Sequence, residues 1–380
     1  MNISAVQPEG SQTGSPPSRP VYDGRLAELY GIYLRHLLLM LVTFGWSRFW
    51  GRTRLRRYLW SHVSVLGDRF EYRGRGLELF VGFVMVLLIL AAWAGALWLA
   101  WTFWLSARMP AGMGLIGLVG LSIAVIGFPL SFVGQYAALR YKLSRTRWRG
   151  VRGAMAGSAW RYGALATLLT AANGATAQLL TPLMSVTLAR PRISNAAIGT
   201  QRFAFAGNAG DIYGRYIAYY LLSILVTVGL VIAVFMAVGV AFVGHDLKEF
   251  QEYAATPSPL LIAAGLAIAY ILFGLVILPL RCWWQAYLLR YLIARTRAGD
   301  VLFATSLTTR DMWGFLVLNY LIVLLSFGLG WPWVMHRTLR LIAGRLWIYG
   351  APAPGSIAQP ADRGPNYGEG LLDMFDVSGV

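Results

Sequence analysis

Charge is scarce in this chain. Only 13% of its 380 residues are Asp, Glu, Lys or Arg, where an ordinary soluble domain carries roughly 25%. Lysine is nearly missing, with Lys142 and Lys248 its only instances, so the net charge of +17 comes from arginine. Cysteine occurs once, at Cys282, which excludes a disulfide or a cysteine-built metal site within one chain. His36, His62, His245 and His336 show no close ligand spacing. No acidic residue lies between Leu79 and Gly210, which removes from that stretch the usual intramembrane carriers of protons or cations. The chain holds no H-E-x-x-H, P-loop or G-x-S-x-G pattern and no paired carboxylates in an apolar setting. "GMGLIG" (112–117) matches a dinucleotide fingerprint but opens an apolar run without a preceding strand, so its glycines read as a helix-packing face. These absences predict no enzyme, no cofactor and no metal.

Hydrophobic residues are plentiful, at 57%. Apolar runs cover Leu77–Leu105, Gly112–Leu139, Tyr213–Gly244 and Leu260–Leu280. Each reaches the roughly 20 residues a helix needs to cross the hydrocarbon core. The expected fold is all-α, a polytopic membrane protein with short interfacial extended segments between its helices. A soluble chain this basic would suggest nucleic acid. In a membrane protein the excess arginine reads as cytoplasmic loops, so membrane lipids are the expected partners and nucleic acid is not.

A short motif recurs. "RFEYRGRGLELFVGF" (69–83) returns as "RFAFAGNAGDIYGRY" (202–216), and "YDGRLAELY" (22–30) parallels "YRGRGLELF" (72–80). An acid followed by an aromatic marks each start: Glu28, Glu78, Asp211 and Asp311, with Arg161 where one acid is expected. An arginine closes each segment: Arg57, Arg140, Arg190, Arg290 and Arg340. Acids suit helix starts and arginines suit helix ends. The alternation in "RFEYRG" fits a short strand, with Phe70 and Tyr72 on one face. The segments alternate short, long, short, long, short. They divide the chain into a disordered leader (1–20), a first membrane half (21–160), a second half (161–310), a terminal half-repeat (311–349) and a flexible tail (350–380).

Each long segment holds two spans. Each short one either crosses once or re-enters as a broken hairpin, with breaks expected at Gly45, Asn173-Gly174 and Gly328–Gly330. Crossing would make the halves inverted repeats, a transporter plan. Re-entry would put every arginine-rich loop on one face. Arg52, Arg54, Arg56, Arg57, Arg337 and Arg340 are the candidates for holding an anionic headgroup or solute. Asn173 and Gln178 form a possible intramembrane polar site. The tail end, "GEGLLDMFDVSGV" (368–380), is an acidic, amphipathic candidate for a protein partner.

The stretches "VTFGWSRFWGRTRLRRYLWSHVSVLGDRFEYRGRGLELFVGF" (42–83), "LNYLIVLLSFGLGWPWVMHRTLRL" (318–341) and "GEGLLDMFDV" (368–377) resemble the YjgN-like family of bacterial inner-membrane proteins. The resemblance implies a multi-pass protein of the inner membrane and brings no reaction, substrate or site with it. The expected function is transport or the handling of lipid or an anionic solute. The alternative is a membrane scaffold or envelope-stress factor acting through a partner.

Overall fold

The computed structural model describes residues 16–105, 113–243, 259–352 and 357–358. The expected distal turns of the long segments (106–114 and 244–259) and the acidic tail end lie largely or wholly outside them. The chain divides into two compact units. One comprises Met1–Ala209, Leu292–Ser306 and Ile322–Val380; the other comprises Gly210–Tyr291 and Leu307–Leu321.

The first unit corrects the all-α expectation. The fold is mostly helical, but its short extended segments join into a ten-stranded antiparallel sheet in sequence order. The strands are β1 (Val21–Tyr22), β2 (Val63–Val65), β3 (Asp68–Tyr72), β4 (Thr146–Trp148), β5 (Val151–Met155), β6 (Ala196–Ile198), β7 (Gln201–Phe205), β8 (Thr296–Ala298), β9 (Val301–Thr305) and β10 (Leu346–Tyr349). The physical reason is edge satisfaction. A lone extended segment leaves half its backbone groups unpaired, and a neighbouring strand supplies their partners. Ser18, expected in the leader, exchanges two 2.9 Å backbone hydrogen bonds with Ile348 and so joins the two ends of the strand series.

Two kinds of connection alternate along the sheet. Tight two-residue turns join β2 to β3, β4 to β5, β6 to β7 and β8 to β9. Leu66-Gly67 and Arg149-Gly150 have positive φ at both residues; Gly199 and Gly299 have it at the first. These are the turn forms whose twist suits a hairpin. Helical segments make the other connections. Helices α1 (Leu26–Val42) and α2 (Arg48–Ser61) lead from β1 to β2. Helices α3 (Gly76–Ala100), α4 (Met113–Ser122) and α5 (Phe128–Arg145) lead from β3 to β4, with π-helical turns at Trp101–Leu105 and Ile123–Gly127. Helices α6 (Ala159–Ala175) and α7 (Thr181–Ser194) lead from β5 to β6. Helices α8 (Gly210–Val243) and α9 (Pro259–Ala294) lead from β7 to β8, and α10 (Thr309–Leu325) and α11 (Trp331–Arg345) from β9 to β10. In every case the two flanking strands pair with each other. Each helical segment, short ones included, therefore ends beside the strand from which it started.

Among the described residues, three helices are long and apolar enough to cross a membrane: Gly76–Phe103, Val119–Arg145 and Gly210–Ala233. The short segments instead break at a tip. Phe44, Ala177 and Phe327 adopt φ of 48°, 49° and 49°. At each tip one N–H reaches back five residues (Gly45 to Met40, Gln178 to Asn173, Gly328 to Val323), and the preceding N–H reaches back three. This is the Schellman closure of a helix. Two breaks fall where the glycines predict. The third comes at Ala177 and Gln178, because Asn173-Gly174 lies inside the last turn of α6 and supplies the carbonyls that close it.

The feet of the segments are tied in recurring ways. A backbone N–H just past one strand bonds a carbonyl just before the next: Asp23 to His62, Arg73 to Arg145, Ala156 to Asn195, Ala206 to Arg295 and Ser306 to Arg345, at 2.8–3.1 Å. Four of the expected arginine markers donate to the carbonyl 17 residues ahead: Arg57 to Gly74, Arg140 to Gly157, Arg190 to Gly207 and Arg290 to Leu307. The starting acids meet tyrosines. Tyr58 donates to Glu28 at 3.0 Å, Tyr141 to Glu78 at 2.8 Å and Tyr291 to Asp211 at 2.8 Å. Glycine two residues after an aromatic permits the ring to fold over the backbone. A Cβ at Gly24, Gly74 or Gly207 would lie 2.4–2.6 Å from the nearest ring atom of Tyr22, Tyr72 or Phe205.

Candidate anion-binding site

Helix α2 carries five arginines, and its periodicity sorts them. Arg48, Arg52 and Arg56 recur every four residues and share one face. Arg54 and Arg57 fall on another. The first three line a cavity of about 330 Å³ with Tyr33, His36, Leu37 and Met40 of α1 and Trp331 and Met335 of α11. Leu55, Leu59 and Met335 of its lining join Leu29 in a buried core that fixes α1, α2 and α11 against one another.

Local contacts hold the wall in place. Gly51 brings α2 close to α1, since a Cβ there would lie 2.9 Å from Cγ of His36. His36 is buried, and its Nδ1 has no hydrogen-bond partner among the described residues. Tyr33 donates to the carbonyl of Gly328 at 3.2 Å, tying α1 to the α10–α11 tip. Arg48 lies over the rings of Phe49 and Phe83, 4.7 and 4.4 Å from their centroids. The Arg56 side chain is buried, while Arg52 is exposed. Among the described lining residues there is no carboxylate. Arg48, Arg52 and Arg56 thus stand along one wall of the cavity beside apolar carbon.

The six arginines read from sequence therefore separate. Arg52 and Arg56 line the cavity. Arg48 joins them; its signal, the four-residue spacing, is in the sequence. Arg54 is exposed, outside the lining. Arg57 bonds the Gly74 carbonyl at 3.2 Å, so its marker position serves the backbone. A second hollow, of about 440 Å³, is lined by Arg57, Ser61, Glu71, Tyr72, Arg73 and Arg75, and Arg73 there pairs with Glu71 at 3.1 Å. Arg337 and Arg340 belong to α11 outside the cavity lining. Arg340 is electrostatically coupled to Tyr22 and His336. Tyr22 is pushed up to about 12, by burial first and by Tyr58 next. His336, whose Nδ1 lies 3.3 Å from the Tyr22 hydroxyl, is lowered by burial and then by Arg340.

The possible intramembrane polar pair has local work. Asn173 is buried, its side-chain oxygen accepts from Thr181 at 3.3 Å, and its carbonyl accepts the Gln178 N–H at 2.7 Å. Both residues close the α6–α7 tip. Among the described residues, no group of three or more His, Cys, Asp or Glu side chains is placed to hold a metal.

A family model described as "Bacterial protein of unknown function (DUF898)" matches residues 17–374, and YjgN-like proteins belong to that family. No curated protein and no solved structure matches the chain.

Proposed function

The chain belongs to the bacterial DUF898 family, and from that premise we propose that it is a multi-pass inner-membrane protein that handles anionic lipid or an anionic solute without catalysing a reaction. The carrying observation is that every helical segment starts and ends on paired strands of one sheet. Such a chain keeps its strand hairpins on one membrane face. Those hairpins bear Arg69, Arg147, Arg149, Arg152, Arg202 and Arg297, and an excess of arginine supports reading that face as the cytoplasmic one.

The short segments serve this reading as re-entrant hairpins. Irregular backbone at membrane depth must satisfy its own polar groups. The tips do so: hydroxyls of Thr43, Thr176 and Ser326 bond the carbonyl four residues back. Thr43 and Ser326 also accept the N–H of Ser47 and Gly330. Phe44 and Phe327, at 94% and 96% exposed, present apolar rings at two of these tips. We read the five segments as copies of one unit, in parallel rather than inverted relation. That relation weakens the motive for an inverted-repeat transporter and favours work at the lipid surface, including the scaffold alternative.

The test is topological. In a Cys282→Ser background, single cysteines replace Ser64 in β2 and Ser194 at the end of α7. Intact cells are treated with a membrane-impermeant thiol reagent, with lysed cells as control. Both sites should stay protected until lysis. Labelling of one alone would mean that the intervening chain crosses an odd number of times. Labelling of both would put the sheet outside. Either result sinks the proposal.

A further inference from the structure

Resting on that reading, we infer that the cavity between α1, α2 and α11 is a binding site for a phosphate group, and that the phosphate is the headgroup of an anionic phospholipid. Arg48, Arg52 and Arg56 stand on successive turns of α2 and line this single cavity. A guanidinium offers a planar fork that matches two phosphate oxygens, and Arg52 and Arg56 on adjacent turns, with the Arg48 cation beside them over Phe49 and Phe83, suit an anion with several oxygens better than a lone carboxylate. His36 adds a buried ring nitrogen with no partner among the described residues. Tyr33 lines the same wall.

The remainder of the lining selects the source of the phosphate. Leu37, Met40, Leu55, Leu59, Trp331 and Met335 are apolar. A free phosphate would leave this wall against water, whereas a lipid's glycerol and first methylenes would cover it. The size agrees, since about 330 Å³ sits at the lower end of the roughly 300–1,000 Å³ of small-ligand sites. It accommodates a headgroup and its linkage, leaving the acyl chains in the bilayer. The exposed apolar residues Leu34, Leu38 and Leu41 on α1 and Trp50 on α2 adjoin the lining positions in sequence and offer those chains a surface.

The experiment uses the full-length protein, purified in a zwitterionic detergent. Retained lipid is counted by native mass spectrometry after exposure to phosphatidylglycerol or phosphatidylcholine of identical chains. Phosphatidylglycerol should be retained about ten-fold more than phosphatidylcholine, equivalent to roughly 1.4 kcal/mol. Arg52→Glu should abolish that preference, because Arg52 is exposed and its reversal spares the core. Arg202→Glu, equal in charge change but exposed on β7 and outside the lining, should keep it to within about two-fold. Arg56→Lys tests the buried member while retaining charge, and should weaken retention by loss of the fork. Equal retention of the two lipids, or Arg52→Glu behaving like Arg202→Glu, overturns the site. Inorganic phosphate is the second probe. If millimolar phosphate alone stabilises the protein thermally in an Arg52-dependent manner and displaces the lipid, the ligand is free phosphate and the lipid assignment falls. Removal of residues 366–380, which carry Glu369, Asp373 and Asp376, should leave retention unchanged. A rise of about ten-fold on removal would assign the cavity to the chain's own carboxylates and overturn the proposal. Failure of the membrane reading is separable, because misplaced cysteine labelling in cells would leave the arginine dependence in detergent untouched.

Discussion

The α1–α2 and α6–α7 hairpins have the same plan and are fastened differently. In the first, Tyr58 bridges the feet, its one O–H proton shared between Glu28 and the Arg25 carbonyl while its oxygen accepts the Arg25 N–H. In the second, Arg161 stands in place of the acid and Pro191 in place of the tyrosine. Both halves of the clamp are missing together. What holds α6–α7 is packing. Tyr162 stacks on Tyr136 of α5 at 4.8 Å, within a core of Val133, Ala137, Met155, Ala159 and Ala166. Asn195 donates to the Tyr136 hydroxyl, which donates onward to the Ala156 carbonyl. Losing a polar clamp is tolerated where a neighbouring helix supplies burial. The α1–α2 hairpin keeps its clamp and, above its core, an open arginine-lined cavity. The α6–α7 hairpin uses its inward face for packing against α5, whereas the inward face of α1–α2 also lines a cavity.

The largest break in this comparison should come from Gly163. A Cβ there would lie 2.3 Å from Cγ2 of Val133 and 3.1 Å from its backbone nitrogen. The valine is branched and enclosed, so it cannot swing aside. Gly163→Leu should therefore destabilise by about 2–3 kcal/mol, the upper range for overpacking. Gly31 in α1 has nothing within 4 Å of its added Cβ, and Gly31→Leu should cost less than about 0.5 kcal/mol. Unfolding of the two purified variants in detergent decides this. Equal losses would mean that the second hairpin is not held by its contact with α5.

A smaller effect should follow from the clamp itself. Tyr58→Phe removes a hydroxyl that serves Glu28 and both backbone groups of Arg25. Such bonds contribute about 0.5–1.5 kcal/mol each in net terms, and exposure at this site discounts them. A loss of about 1 kcal/mol is expected. Glu28→Gln, placed on Tyr58→Phe, should then add almost nothing. A fully additive double variant would mean that the acid acts through the helix dipole and the exposed Arg25 beside it, not through Tyr58.

How far these features were legible in sequence depends on their range. The apolar runs, the acids in the first turns of α1, α3, α8 and α10, and the tip breaks at Gly45 and Gly328 are local, and each was readable. The sheet was not. Its strands are two to five residues long, too short for a period to register, and β3 finds β4 only after the whole α3–α5 segment. The turns were the available signal: Leu66-Gly67 and Arg149-Gly150 sit between short alternating runs. The arginine markers were visible as a rhythm, but reading them as helix-end charges missed their common target 17 residues ahead. The site was half legible. The four-residue spacing already separates Arg48, Arg52 and Arg56 from Arg54 and Arg57, but that this face meets α1 and α11 around a cavity is set by the fold.

The gentlest probe of the difference is acidity. The first unit's α11 carries His336 beside Tyr22, with Arg340 near, while α6 and α7 contain no histidine. Burial and the Arg340 charge both disfavour the imidazolium, so the folded-state value lies below the ordinary 6.5. The unfolded chain then binds a proton that the folded chain resists. Stability from this group is complete above about pH 6.5 and declines as the pH falls from there through the lowered folded value. Tyr22, raised to about 12, stays neutral across this range and adds no slope. The melting temperature of the wild-type protein should therefore drop between pH 7.5 and pH 5, and His336→Gln should reduce that drop. Unchanged slopes would place the acid sensitivity elsewhere and would remove His336 from the contacts that distinguish the clamped hairpin's surroundings from those of the packed one.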